Sequence, residues 1–394
     1  MSVRKRKWTT RAGEQKEAWI VDYVDQEGSR HIETFKRKKD ADAFAQQVGV
    51  DIRAGTHTPA SRSITVDEAA ADWVKTVELE GRERSTVRQY SQHVKHIVAG
   101  LGGQKLANLT TPRINAFRDD LLKSMSRALA RKVLTSLKSL LKDAKRRGNV
   151  AQNVASDVSI SVDKRSKKKL KIGVDIPAPD EIKRILGTVS GPLRPLLITA
   201  TFTGMRASEL RGLPWKNIDF KRGELHVRQR ADRYNVIGKL KSESAERTIP
   251  LGPFVLNTLK EWKLACPKND DDLVFPTAIG NIQHHSNIVR ELNSVVFAAG
   301  LTASVLDEQG KPTKDAKGKP IIGAKYTGLH AFRHFYASWL INARQDGGQE
   351  LPAKVVQTRL GHASIVMTFD IYGHLFPRGD DGAQLAAAEK ALLA

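Results

Sequence analysis

Between Asp163 and Lys171 the chain reads Asp-Lys-Arg-Ser-Lys-Lys-Lys-Leu-Lys. A run with a single apolar residue, Leu170, cannot join a hydrophobic core, and its like charges repel one another. It therefore predicts an extended connector over 161–171. Such a break divides the 394 residues into separately packed parts, as a chain of this length requires. Hydrophobic residues make up 40% of the whole, enough for more than one core.

Before the connector two patterns succeed each other. Over 1–60, Ala18 to Val24 reads as a strand, Gln26-Glu27-Gly28-Ser29 carries turn chemistry, and Arg30 to Phe35 reads as the return strand. Lys39 to Ala54 follows as a helix with Ala43, Phe44 and Val48 on one side. This predicts a small α+β domain. Over 63–160 the pattern is all helical. Thr65 caps a helix from Val66, with Glu68 completing a capping box. Ser85 is placed to cap Thr86 to Ala99, and Thr110-Thr111-Pro112 opens a third helix. The fourth, Ser126 to Arg147, has Leu129, Val133, Leu137, Leu140 and Ala144 at three- and four-residue spacing, an apolar stripe that must pack. Arg127, Arg131, Lys138, Lys142 and Lys145 recur at the same period on another face, with Asp143 the one acid between them. After the connector, 172–394 predicts helices at Pro179–Thr188 and Leu193–Thr203 and strands at Glu224–Arg228 and Arg247–Leu251, then further helices. No strand–helix alternation repeats, so this part is a mostly helical α+β domain with a small antiparallel sheet. The stretch Asp380 to Ala394 is rich in alanine and leucine and reads as a helical tail.

Lysine and arginine number 65 against 43 acids, a formal net charge of +22. A surplus of that size calls for a polyanionic partner, nucleic acid first and an anionic membrane surface second. No run of about 18 apolar residues supports a membrane span, and the charged start, Met1 to Lys7, leads into no signal-peptide core. The lone Cys266 excludes a disulfide framework and a cysteine zinc cluster. A cytoplasmic, soluble protein is expected. On this charge pattern Arg4 to Lys7 and Lys36 to Lys39 belong either to a solvated hairpin or to an accessory DNA-binding module. The basic face of the fourth helix, with Lys167, Lys168 and Lys169 of the connector, reads as phosphate-tracking.

Nucleotide and hydrolytic motifs are missing: no Walker phosphate loop, no Gly-x-Gly-x-x-Gly, no His-Glu-x-x-His and no Gly-x-Ser-x-Gly. ATP, NAD and zinc are not implied, and no cofactor is expected. What stands out instead is a set of basic and imidazole residues in apolar settings. Arg206 follows Gly204 near a helix start, with Glu209 one turn on to hold its guanidinium. His330 and Arg333 lie three apart beside Phe332 and Phe335, which points to a buried helix. A buried arginine and histidine side by side need an anion or an acid. Leu360-Gly361-His362 and Tyr372 add a third imidazole and a phenol. Singly, each has a plainer role as a structural ion pair or a core residue; together they read as a phosphate cradle with a nucleophile beside it.

In this combination the chain resembles the tyrosine recombinases, the phage integrase family. The resemblance rests on Thr203-Gly204-Met205-Arg206-Ala207-Ser208-Glu209-Leu210, on Lys241-Ser242-Glu243 followed by Arg247-Thr248-Ile249-Pro250-Leu251, on His330-Ala331-Phe332-Arg333-His334, and on Leu360-Gly361-His362 with Tyr372 ten residues after His362. It implies a fold of three domains: an N-terminal arm-type DNA-binding domain (1–60), a four-helix, SAM-like core-binding domain (63–160) and a catalytic domain with a C-terminal tail (172–394). It implies strand cutting and rejoining through a 3′-phosphotyrosine, with no ATP or metal. Tyr372 would be the nucleophile. Arg206 and Arg333 would hold the non-bridging oxygens, since arginine stays charged and offers a fork of donors. His330 would accept a proton or donate to the phosphate, His362 would bond a non-bridging oxygen, and Lys241, or Lys239 two residues before it, would protonate the leaving 5′ oxygen. Glu209 would orient Arg206. The resemblance further implies double-stranded DNA attachment sites as substrate, a homotetramer on DNA, a mobile element or phage as the object integrated or excised, and a nucleoid-associated location. A directionality factor or DNA-bending protein is compatible with it, although no residue feature points to either. Two other readings stay open: a type IB-like strand-passage enzyme using the same residues, and a DNA-binding protein without chemistry. Residues 301–328, with Glu308-Gln309-Gly310-Lys311-Pro312 and Lys317-Gly318-Lys319-Pro320, depart from the family pattern and read as an inserted hairpin or loop.

Overall fold

The computed structural model describes residues 1–9, 14–55, 57, 59, 63–161, 169–307, 310–376 and 381–394, apart from the side chains of 381, 383 and 384. The chain forms two compact units, Met1–Asp163 and Lys164–Ala394. Lys167, Lys168 and most of the expected connector lie outside the described residues; Lys169 is exposed.

The first unit opens with an antiparallel meander of β1 (Ser2–Thr9), β2 (Gln15–Val24) and β3 (Arg30–Phe35), in that order across the sheet. At the β2–β3 turn Asp25 Oδ1 accepts from the Glu27 and Ser29 amides at 3.0 and 2.8 Å. Helix α1 (Lys38–Arg53) closes the buried side of the meander with Ala41, Ala45 and Val48 against Val21 and Tyr23. Strand β1 was not anticipated. Its Arg4-Lys5-Arg6-Lys7 run carries no apolar alternation, and the strand exists because β2 offers it a complete backbone partner, Lys5 opposite Trp19 and Arg4 opposite Ile20.

Among the described residues four α-helices follow in this unit: α2 (Val66–Leu79), α3 (Arg84–Leu101), α4 (Thr111–Ser124) and α5 (Arg127–Arg146). Thr65 and Glu68 form the expected capping box, and Thr110 and Ser126 cap α4 and α5. The expected cap at Ser85 is corrected. Helix α3 begins two residues earlier, at Arg84, and Glu83, which makes no side-chain cap bond, precedes it. Trp73, Ile97, Phe117, Leu134 and Leu137 fill the core. Along α5, Val133, Leu137, Leu140 and Ala144 are buried as the spacing requires, while Leu129 is half-buried. On the opposite face Arg127, Arg131, Lys142 and Lys145 are exposed. Lys138 is half-buried and donates to the Ser156 carbonyl at 2.8 Å.

The second unit runs through α6 (Pro179–Thr188), α7 (Leu193–Thr203) and the five-residue α8 (Ala207–Arg211). There follow β4 (Ile218–Asp219), β5 (Glu224–Val227), β6 (Gln229–Ala231), β7 (Ile237–Lys239), β8 (Arg247–Pro250), α9 (Pro253–Ala265) and α10 (His285–Ala298). Next come β9 (Thr302–Ser304), β10 (Ile322–Ala324), α11 (His330–Ile341), α12 (Ala353–Leu360), α13 (Ile365–Tyr372) and α14 (Asp381–Leu393). The antiparallel sheet orders its strands β4-β5-β8, and β6 pairs with β7 as a separate hairpin. Helix α7 is buried on almost every side, which its apolar sequence demands, and it packs on α9 and α11 at the centre of the core.

The departure at 301–328 is a hairpin of β9 and β10. Its tip holds two turns eight residues apart: Asp307 Oδ1 accepts from the Lys311 amide, and Asp315 Oδ1 from the Lys319 amide, each at 2.9 Å. At the foot of the hairpin, Glu181 on α6 takes Lys325 Nζ and Tyr326 Oη, both at 2.6 Å. That anchor fixes the strand leading into α11, and so the start of the His330–Arg333 helix.

Candidate active site

Arg206 precedes α8, where its own amide donates to Glu209 Oε2 at 2.9 Å. The same glutamate returns along the turn, so Glu209 Oε1 takes Arg206 Nη1 at 2.7 Å. The local sequence dictates this: three residues separate a helix-start residue from the acid that folds back on it. Glu209 Oε2 also takes Arg247 Nη2 at 2.8 Å, and both of those side chains are almost wholly buried. Burial pushes the Glu209 carboxyl up, but the charge and hydrogen bond of Arg247, and then Arg206, outweigh it and hold the group below its ordinary value.

Arg247 and Arg333 are held largely by main-chain oxygens. Arg247 donates to the carbonyls of Arg359 at 2.9 Å and Ala245 at 2.8 Å. Arg333 donates to the Gly204 carbonyl at 2.6 Å and the Leu360 carbonyl at 2.5 Å. Arg206 Nη2 reaches the Gly361 carbonyl at 3.2 Å. Gly204 (φ 58°) and Gly361 (φ 64°) both end helices in the left-handed region, which turns these carbonyls toward the cluster. Burial, then the charges of Arg206 and Arg247, lower Arg333 to about 9, and its guanidinium stays charged at neutral pH. Among the described residues no acid lies within ion-pair distance of it. A buried cation beside two further cations, with carbonyls for partners, is an arrangement that an anion would stabilise.

Tyr372, the last residue of α13, is buried beside this cation, and burial raises its pKa to about 12 although Arg333 pulls the other way. Its Oη lies 2.7 Å from His334 Nδ1. His362 is buried, its ring parallel to Tyr372 with centroids 6.3 Å apart, and its Nδ1 bonds Thr368 Oγ1 at 3.0 Å. Burial, then the surrounding arginines, lower His362 to about 4, so it is neutral.

The structure thus brings Arg206, Glu209, Arg333, His362 and Tyr372 together. The burial expected for His330 is corrected. It is the first residue of α11, where a side chain reaches solvent although Phe332 and Arg333 behind it do not. Its ring meets His334 edge-on at 4.6 Å. That partial burial, then Arg333 and Arg206, lowers its pKa. Lys241 stands exposed between β7 and β8, and Lys239, also exposed, ends β7. Sequence reading did not single out Arg247 or His334 for the site. The alternation of Arg247 with Ile249, both inward on β8, was the available signal for the first. For the second it was the one-turn spacing from His330. Among the described residues no group of His, Cys, Asp and Glu could hold a metal ion, and no helix is long and apolar enough to cross a membrane.

The sequence profile of the phage integrase family matches residues 178–378, just over half of the chain. The chain belongs to the phage integrase family. The match spans every element of this site, from the Ala178 before α6 to beyond Tyr372. Membership makes the chain a tyrosine-type site-specific recombinase, an enzyme that breaks and rejoins DNA. Integrase relatives extend the likeness beyond the profile. A tyrosine recombinase XerC-like protein of Caldanaerobacter subterraneus subsp. tengcongensis is 25% identical over 371 residues, 87% of each chain. The ICEBs1 integrase of Bacillus subtilis is 25% identical over 333 residues, 80% of this chain and 81% of the relative. The fold matches the Tn1549 transposon integrase in complex with transposon right end DNA, with a TM-score of 0.60 at 18% identity, covering 83% of this chain and 99% of that one. It also matches a lambda integrase dimer bound to a core site, with a TM-score of 0.54 at 20% identity, covering 92% and 93%.

Proposed function

We propose that this integrase inserts and excises a mobile DNA element by cutting one strand at a time through a 3′-phosphotyrosine on Tyr372. The observation that carries the assignment of residues is Arg333, a buried guanidinium held by two carbonyls beside the buried phenol. A scissile phosphate brought to this cation supplies the missing negative charge. Arg206, presented by Glu209, faces the same charge from solvent, with its side chain 37% exposed. Forked donors on both sides suit the pentavalent transition state, whose charge lies on the non-bridging oxygens. His362, neutral, donates to one of those oxygens. His330, exposed at the rim, donates to the phosphate, and Lys241 gives its proton to the departing 5′ oxygen. The phosphotyrosine keeps the energy of the broken ester, so rejoining needs no nucleotide.

In this reading 63–160 closes a clamp on the core site, with Arg127, Arg131, Lys142 and Lys145 along the backbone of the duplex and Lys138 and Lys169 nearby. Residues 1–60 bind accessory arm sites through the basic strand β1. Four copies act together, and α14 docks on the next protomer. The assembly of four copies has support in the lambda integrase, which forms a tetramer on a Holliday junction. The deciding experiment is a suicide substrate, a nicked duplex spanning the junction between the element and its host chromosome, with wild type and Tyr372→Phe in the absence of metal and ATP. A covalent adduct resolved under denaturing conditions with wild type alone supports the reading. Tight binding with no adduct from either protein removes it.

A further inference from the structure

A buried phenol must place its proton on an acceptor, and Tyr372 Oη hydrogen-bonds His334 Nδ1 at 2.7 Å. His334 lies one turn after His330 on α11, half-buried, its ring 5.7 Å from that of Tyr372. Although it is next to Arg333 in the chain, α11 turns Arg333 into the core and His334 toward Tyr372 of α13. Among the described residues no other imidazole hydrogen-bonds this oxygen. His362 commits its Nδ1 to Thr368 Oγ1 at 3.0 Å and faces Tyr372 ring to ring. His330 is exposed and meets His334 edge-on at 4.6 Å.

We propose that His334, not His330, is the base that receives the Tyr372 proton during strand cleavage, and that His330 is the next station toward solvent. This rests on Tyr372 being the nucleophile, as proposed above. In the step, Tyr372 Oη forms its bond to phosphorus while the P–O5′ bond breaks. The phenolic proton passes to His334 Nδ1, and O5′ takes a proton from the general acid. Rejoining runs the same transfers backward, with His334 returning the proton as the phenol leaves. The arrangement also ties proton uptake to DNA. In the free protein, burial and then His330 and Arg333 hold His334 at about 4, so it cannot draw the proton from Tyr372. A phosphate anion against Arg333 offsets the positive charge that opposes an imidazolium there.

The test uses the full chain on the nicked suicide duplex, with Tyr372 as tyrosine or replaced by a fluorinated tyrosine of lower phenol pKa. His334→Phe removes the acceptor. His334→Asn keeps a small acceptor near the Nδ1 position that cannot take a proton, and serves if the first variant folds poorly. Adduct formation should slow on the order of 10²–10⁴-fold in both. Fluorotyrosine should restore the variants by at least ~10-fold more than it changes wild type, because a more acidic phenol depends less on a base. Wild-type rates in either variant would overturn the proposal. So would slowed rates with equal fluorotyrosine effects in variant and wild type, since that marks a role in packing only. Faster cleavage in the variants would make His334 a lock on the tyrosine instead of its base. An adduct formed by Tyr372→Phe would strike the nucleophile assignment itself, separately from these outcomes.

Discussion

Arg247 Nη2 lies 2.8 Å from Glu209 Oε2, and neither side chain is more than marginally exposed. The pair sits behind Arg206, which shares the same carboxylate. Replacing Glu209 with Gln leaves a buried guanidinium without its counter-charge. A loss of about 3–5 kcal/mol is expected, because breaking one side of a buried pair costs far more than the pair is worth. Urea unfolding of the catalytic unit measures it. Arg206 loses its anchor at the same time, so any folded fraction should cleave slowly; a Glu209→Gln protein of wild-type stability would show that the carboxylate does not carry the pair.

Gly204→Ala places a methyl group where φ is 58° and Tyr336 Cδ1 already sits. The left-handed backbone costs roughly 1–2 kcal/mol for a residue with a Cβ, and overpacking against a buried ring adds about 1–3 kcal/mol. Because the Gly204 carbonyl holds Arg333, cleavage should fall further than stability alone explains. Comparing adduct rates at a temperature where both proteins are folded separates the two effects.

His362 supplies a pH signature. In the folded chain burial and the arginines lower it from an ordinary 6.5 to about 4. Between those values the unfolded chain binds a proton that the folded one refuses. The stability this gives is complete above about 6.5, and it is lost as pH falls through about 4. Wild type should therefore lose more of its urea midpoint between pH 7 and pH 5 than His362→Phe does. Glu209 acts in the same direction lower down, through its depressed carboxyl. Parallel pH profiles for the two proteins would contradict the assignment of this loss to His362.

The general acid is tested by the leaving group. Lys241→Ala should slow cleavage of an ordinary phosphodiester on the order of 10²–10⁴-fold. A substrate with sulfur at the bridging 5′ position should be cut at near wild-type speed, because a thiolate leaves without a proton. Lys239→Ala should show neither effect. The reverse pattern would move the acid to Lys239.

What could be read in the sequence follows the range of the forces involved. Helices at 179–188 and 193–203 and the cap at Thr65 rest on contacts within one turn, and local patterns reveal those. Glu209 behind Arg206 is of the same kind. Strand β1 was hidden because its partner, β2, supplies all its order. The exposure of His330 was hidden because Phe332 and Phe335 describe the helix around it, whereas its own direction depends on being the first residue. Arg247 and His334 were hidden because their partners, Glu209 and Tyr372, are 38 positions away in each case. Such meetings are made by tertiary packing, which no window of sequence contains.

The three arginines of the site are gripped by the carbonyls of Gly204, Ala245, Arg359, Leu360 and Gly361. A carbonyl is the same atom whatever side chain its residue bears. Ancestry can therefore rewrite Ala245, Arg359 or Leu360 without disturbing the grip, provided the backbone turns where the two glycines turn it. Lineages of this enzyme can drift in most of their letters and still hand down one arrangement of charge.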